Sequence, residues 1–182
     1  MTTVAVLVGS LRKESFSRKV ANAFAKLTPG LSFDFVDIGA VSYFNQDLEA
    51  NPPADWTSFR ERIARADAVL FVTAEYNRSV PGVLKNAVDV ASRPYGQGAL
   101  LGKPAAIIST SIGAIGGFGA NHHLRQSLAF LNMPVLAQPE AYIGNSAGLF
   151  AETGELTNDS TKEYLVAFGK AFEHFIRHNA KK

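Results

Sequence analysis

Three stretches of the chain are almost continuously apolar: Thr3–Val8 ("TVAVLV"), Ala68–Ala74 ("AVLFVTA") and Pro104–Ser111 ("PAAIISTS"). Each is short and ends in glycine or polar residues, the pattern of a strand buried on both faces of a parallel sheet. Leu31–Ile38 ("LSFDFVDI") alternates instead, which predicts a strand with one face less buried, at a sheet edge. Val135–Ile143 reads as the last strand.

Between these runs the apolar spacing turns helical. Phe16–Leu27 places Phe16, Val20, Ala23, Phe24 and Leu27 on one face, and "TPG" stops it. Asp55–Ala66 carries Trp56, Phe59 and Ile63. Gly82–Ser92 carries Val83, Leu84, Ala87, Val88 and Ala91 before Pro94, and Gly119–Leu131 follows later. In the tail, "STKE" (Ser160–Glu163) has capping-box spacing. Tyr164, Leu165, Phe168, Phe172, Phe175 and Ile176 then share a face. Gly39–Ala54 is read as a loop. Strands and helices alternate, so the chain is expected to form one α/β domain over residues 1–182, a doubly wound five-stranded parallel sheet with helices on both faces. A common order is 2-1-3-4-5, with a ligand crevice where strands 1 and 3 diverge. The loops after strands 1, 3 and 4 are therefore where chemistry is expected.

Composition narrows the function classes. With 47% hydrophobic and 19% charged residues the chain is a folder, not a disordered segment. A net charge of +2 is too small to argue for nucleic acid or an anionic membrane surface. The absence of cysteine removes disulfides, thiolate metal sites and a cysteine nucleophile. "MTTVAVLVGS" lacks the basic and long apolar regions of a signal peptide, and no apolar run approaches the ~18 residues of a membrane span. A cytoplasmic protein is expected, with the terminal "KK" as a solvated tail.

The three loops differ in what they offer. "GSLRKESFS" (Gly9–Ser17) brings Ser10, Ser15 and Ser17, the cations Arg12 and Lys13, and the start of a helix, all suited to a phosphate. It lacks the Walker A spacing and has one glycine only, which disfavours the usual dinucleotide site. The same residues also read as a solvated turn with a serine cap. "AEYNRSVPG" sets Glu75, Tyr76, Asn77 and Arg78 at a strand end, parts that suit the edge of a planar heterocycle, or else a plain polar turn. "STSIGAIGGFGANHH" supplies Gly113, Gly116, Gly117 and Gly119, which permit close backbone approach to a ligand or simply a flexible connection. His122 and His123 point about 100° apart on a helix and cannot share a metal as an i, i+4 pair would. His174 and His178 have that spacing, without a supporting motif. No Gly-x-Ser-x-Gly elbow is present.

"GSLRKESFS", followed by "EYNRSVPGVLKNAVDVASRP", "STSIGAIGG" and "HHLRQSLAFLNMPVL", resembles the NADPH-dependent FMN reductase family over nearly the whole chain. The resemblance implies a flavodoxin-like fold and an FMN-dependent NAD(P)H oxidoreductase that passes hydride to quinones, flavins, azo compounds or chromate by a ping-pong scheme. It places Ser10, Arg12, Ser15, Phe16 and Ser17 around the phosphate and ribityl chain. Ala74, Glu75, Tyr76, Asn77 and Arg78 would follow the ring edge, with Ser111, Gly113 and Gly116 on its other side. Ala74 stands where the family usually has proline, Arg78 where it has an aromatic or small residue, and Val90 where tryptophan is frequent. Arg78 is a candidate for an anionic substrate or the NADPH 2′-phosphate, or points to solvent. Relatives of this kind form homodimers or homotetramers. The competing class is a flavodoxin-like electron carrier reduced by a partner protein, against which the slightly basic charge argues. A flavin sensor has no output region in its favour.

Overall fold

The computed structural model describes residues 1–179; the terminal lysine pair lies outside the described residues. Its centre is a five-stranded parallel sheet in the order β2-β1-β3-β4-β5, built from β1 (Thr2–Gly9), β2 (Leu31–Val36), β3 (Ala68–Thr73), β4 (Ala105–Thr110) and β5 (Ala141–Ile143). Every residue of β3 and β4 is buried, as uninterrupted apolar runs require. Alternate residues of each strand feed opposite faces. Ala5, Leu7, Val69, Phe71 and Ile107 meet α2 (Ala54–Arg65), α3 (Gly82–Ala91) and α4 (Phe118–Phe130). Val4, Val6, Leu70, Val72 and Ile108 meet α1 (Phe16–Leu27) and α5 (Asp159–Asn179). The chain thus leaves β1 toward one face and β3 toward the other, and the two loops open a crevice between them.

Register then decides where the loops begin. Gly9 pairs with Thr73, Thr73 with Ser109, and Ser109 with Tyr142. Four strand ends therefore finish side by side, and their loops converge on one patch.

β2 is an edge strand, half-buried along its middle. Its Asp34 carboxylate is held by the Arg62 guanidinium of α2, and the Arg18 guanidinium lies 5.3 Å from the centre of the Phe35 ring. The last strand is shorter than the sequence pattern suggests. Val135 touches Ala105 in an isolated bridge, but the regular strand is Ala141–Ile143 alone. Pro139 interrupts the run, because it has no N–H to give to the ladder. The α5 cap also differs from the capping-box reading. Asn158 Oδ1 accepts from Thr161 N at 2.9 Å, and Ser160 already lies inside the helix. Two short helical turns also form, Gln46–Leu48 inside the segment read as loop and Ser146–Gly148 after β5.

Candidate functional site

The β1–α1 loop is built around a helix start. Ser15 is the N-cap of α1, and its Oγ accepts from Arg18 N at 3.2 Å. Phe16 stacks on Phe150 with ring centres 6.4 Å apart, and the Arg12 guanidinium lies 5.7 Å from the Phe16 centre. Ser17 is buried, and its hydroxyl finds no partner.

The β3–α3 loop is a tight hairpin. Tyr76 and Ser79 exchange backbone hydrogen bonds at 2.9 and 3.0 Å. Asn77 and Arg78 between them have φ of 52° and 62°, both left-handed, as in the primed two-residue turns. Asparagine tolerates that region; arginine does so at a cost. The strain is held by Glu75. Its Oε1 accepts from Arg78 Nη1 at 2.6 Å and its Oε2 from Ala120 N at 3.1 Å. Ala120 is in the first turn of α4, whose N-cap is Gly117, with no capping side chain of its own. Glu75 thus caps a neighbouring helix and meets its positive end. Gly119 allows the approach, since a Cβ there would stand 2.9 Å from both Arg78 O and Glu75 Oε2.

The β4–α4 loop is templated by the segment after β5. Ser111 N donates to Ile143 O at 3.0 Å, Asn145 N to Gly113 O at 3.2 Å, and Ser146 N to Ser111 O at 3.1 Å. The Ser111 Oγ accepts from Gly113 N at 3.1 Å. Gly116 has φ of 64°, and a Cβ on it would lie 2.6 Å from the Tyr142 carbonyl carbon. Burial, with Glu140 beside it, pushes the Tyr142 phenol up to about 12. That hydroxyl therefore stays protonated at neutral pH, 2.9 Å from His122 Nε2.

Together the loops enclose a cavity of about 200 Å³ lined by Ser10, Arg12, Ser15, Phe16, Ser17, Ala74, Glu75, Tyr76 and Ser111. Thr110, Ile112 and Ser146 complete its wall. A second cavity of about 370 Å³ shares Glu75 and Ser111 with it and adds Asn77, Arg78, Gly113, Ala114, Ile115 and Gly117. Gly116 lines neither; it presses on the Tyr142 backbone instead. Nine residues of the first wall are among those expected from the sequence; Thr110, Ile112 and Ser146 are not. Thr110 stood inside the quoted "STS" run, whereas Ser146 lies beyond the last strand, where no motif marks it. Three buried hydroxyls of this wall, Ser17 Oγ, Thr110 Oγ1 and Ser146 Oγ, have no hydrogen-bond partner in the protein. Unpartnered buried hydroxyls are costly, and their convergence on one cavity is what a polar, oxygen-rich ligand would relieve. Among the described residues, no group of three His, Cys, Asp or Glu side chains could hold a metal ion. No described helix is long and apolar enough to cross a membrane.

Residues 2–148 match the family described as NADPH-dependent FMN reductase. A quinone reductase of Pseudomonas putida is 58% identical over 179 residues, covering 97% of this chain and 96% of its own. A 2-hydroxy-1,4-benzoquinone reductase of Burkholderia sp is 46% identical over 175 residues, covering 96% of each chain. Among solved structures, the flavoenzyme NAD(P)H:(acceptor) oxidoreductase FerB of Paracoccus denitrificans superposes with a TM-score of 0.93, at 42% identity and over 100% of both chains.

Proposed function

The chain belongs to the NADPH-dependent FMN reductase family, and from that premise we propose that it reduces small quinone-type acceptors with NAD(P)H, the two substrates taking turns at one site. The observation that carries this reading is the cavity in which the β1–α1, β3–α3 and β4–α4 loops meet. Its donor set fits FMN. Ser10, Arg12, Ser15 and Ser17, at the start of α1, would hold the phosphate and sugar-alcohol chain, with Phe16 walling that end. Ala74, Glu75, Tyr76 and Asn77 would flank one edge of the ring, and Ser111 and Gly113 would shape the other. When bound, FMN supplies the redox chemistry, taking hydride from a nicotinamide and passing electrons to the acceptor.

The chain's own part is binding and shape. Arg12 sets a positive charge beside the first cavity, and Glu75 locks the hairpin so that its backbone stays in place. The second cavity, joined to the first through Glu75 and Ser111, is where donor and acceptor would alternate. Exposed isoleucines rim the two cavities, Ile112 at 69% on the first and Ile115 at 59% on the second. An uncharged planar acceptor suits such a rim, and the two relatives named as quinone reductases support that class. Arg78 would reach the 2′-phosphate of NADPH. We also propose a homo-oligomer: Phe130 is 77% exposed beside a groove between α3 and α4 lined by Lys85, Val88, Asp89 and His123. A cytoplasmic setting, where NAD(P)H is available, completes the proposal.

The test is an anaerobic NADPH titration of the FMN-loaded protein, followed by visible absorbance. Loss of the flavin band, restored by a quinone, is the expected result. A flavin band that NADPH leaves unchanged would instead make the protein an electron carrier served by a partner reductase.

A further inference from the structure

Ser146 is a serine whose backbone is used and whose hydroxyl is not. It opens the helical turn after β5, and its N–H donates to Ser111 O at 3.1 Å. Its carbonyl accepts from Leu149 N at 3.4 Å. Asn145, just before it, has φ of 49°, so the turn that delivers Ser146 is held in a left-handed conformation that few side chains adopt willingly. The residue is fully buried at 0% exposure, yet Oγ has no hydrogen-bond partner. Any residue but proline could make the two backbone hydrogen bonds. Packing alone would be served as well by alanine, without the cost of an unsatisfied buried hydroxyl.

What Ser146 does face is the first cavity, together with Ser10, Arg12, Ser15, Ser17 and Thr110. We propose that Ser146 is a binding residue for the cofactor's oxygen-rich chain, supplied by a fourth loop, the one after β5. The staggered rotamers of serine let its oxygen turn toward a ligand oxygen without moving the backbone. The inference rests on the FMN reading of the cavity. It adds a consequence of its own: the ladder that joins residues 143–146 to Ser111 and Gly113 makes the β5 end of the sheet part of the flavin site.

The experiment compares wild type with Ser146→Ala, both stripped of flavin. FMN affinity is read from flavin fluorescence on titration, and the melting temperature is taken on each apo-protein. Loss of one ligand hydrogen bond should weaken FMN binding about two- to tenfold. Removal of a hydroxyl that has no partner in the protein should leave the apo melting temperature unchanged or raise it. A fall in FMN affinity with no fall in apo stability is a combination that a purely structural serine cannot produce. Equal FMN affinity in the two proteins would overturn the proposal. So would a fall in apo melting temperature that accompanies the fall in affinity. A wild type that takes up no FMN would overturn the reading beneath it as well, and is told apart by the wild-type titration alone.

Discussion

The β1–α1 and β3–α3 loops start one strand apart, at Gly9 and Thr73, yet they solve opposite problems. The β3–α3 hairpin satisfies itself. Tyr76 pairs with Ser79, and both Glu75 oxygens are engaged, one by Arg78 and one by the N-terminus of α4. The β1–α1 loop leaves Ser17 buried without a partner and Ser10 and Arg12 on a cavity wall. One loop is satisfied within the protein; the other leaves a buried hydroxyl unpaired beside the cavity, as the proposed role requires. A flavin site needs both kinds, since a flat ring is held by surfaces and a phosphate by hydrogen bonds.

Crowding the hairpin should have the largest effect on this contrast. Gly119→Ala forces a Cβ against the Arg78 carbonyl and Glu75. Overpacking of that kind should lower the unfolding free energy by about 2 kcal/mol in a urea titration, whether or not FMN is present. Glu75→Ala comes next. It frees the Ala120 N–H and releases Arg78, and loss of a cap should cost about 1 kcal/mol of stability in the same assay.

Ser15 and Ser17 sharpen the comparison within the donor loop. The sequence treats them alike, but the structure separates them. Ser15→Ala removes the α1 cap and should cost about 1 kcal/mol in the apo-protein. Ser17→Ala should leave apo stability unchanged or higher while weakening FMN binding by about two- to tenfold. Equal FMN affinity after Ser17→Ala would remove this hydroxyl from the phosphate site.

Arg78→Ala should be the mildest. Its side chain is 72% exposed, so losing the ion pair should change stability by less than about 0.5 kcal/mol. The proposed 2′-phosphate role predicts that KM rises for NADPH more than for NADH. An equal rise for both would assign Arg78 to the hairpin alone.

Much of the fold was legible because each buried strand is a short apolar run and each helix shows one apolar face. Val4–Val8 and Val69–Val72 are short, rich in β-branched valine and buried throughout, as central strands of a parallel sheet are. The misreadings came from local competition. Pro139 halts a run whose first residue, Val135, still touches β4. Asn158 captures the α5 cap from a capping-box pattern two residues on, because asparagine caps as well as serine. In the site, residues on contiguous loops could be named, whereas Ser146 could not. It reaches the cavity through a ladder to Ser111 that only the parallel register of β4 and β5 creates. The left-handed Arg78 was equally hidden, since arginine gives no local signal for positive φ.

The sheet has two open edges, and neither invites another strand. β5 offers a template of three residues only. β2 is longer but carries the Asp34–Arg62 ion pair and an arginine laid across Phe35. Charges on an edge discourage the addition of a foreign strand. Both edges are therefore poor templates for extension of the sheet. Strand addition at either edge is accordingly a disfavoured way for a second copy to attach.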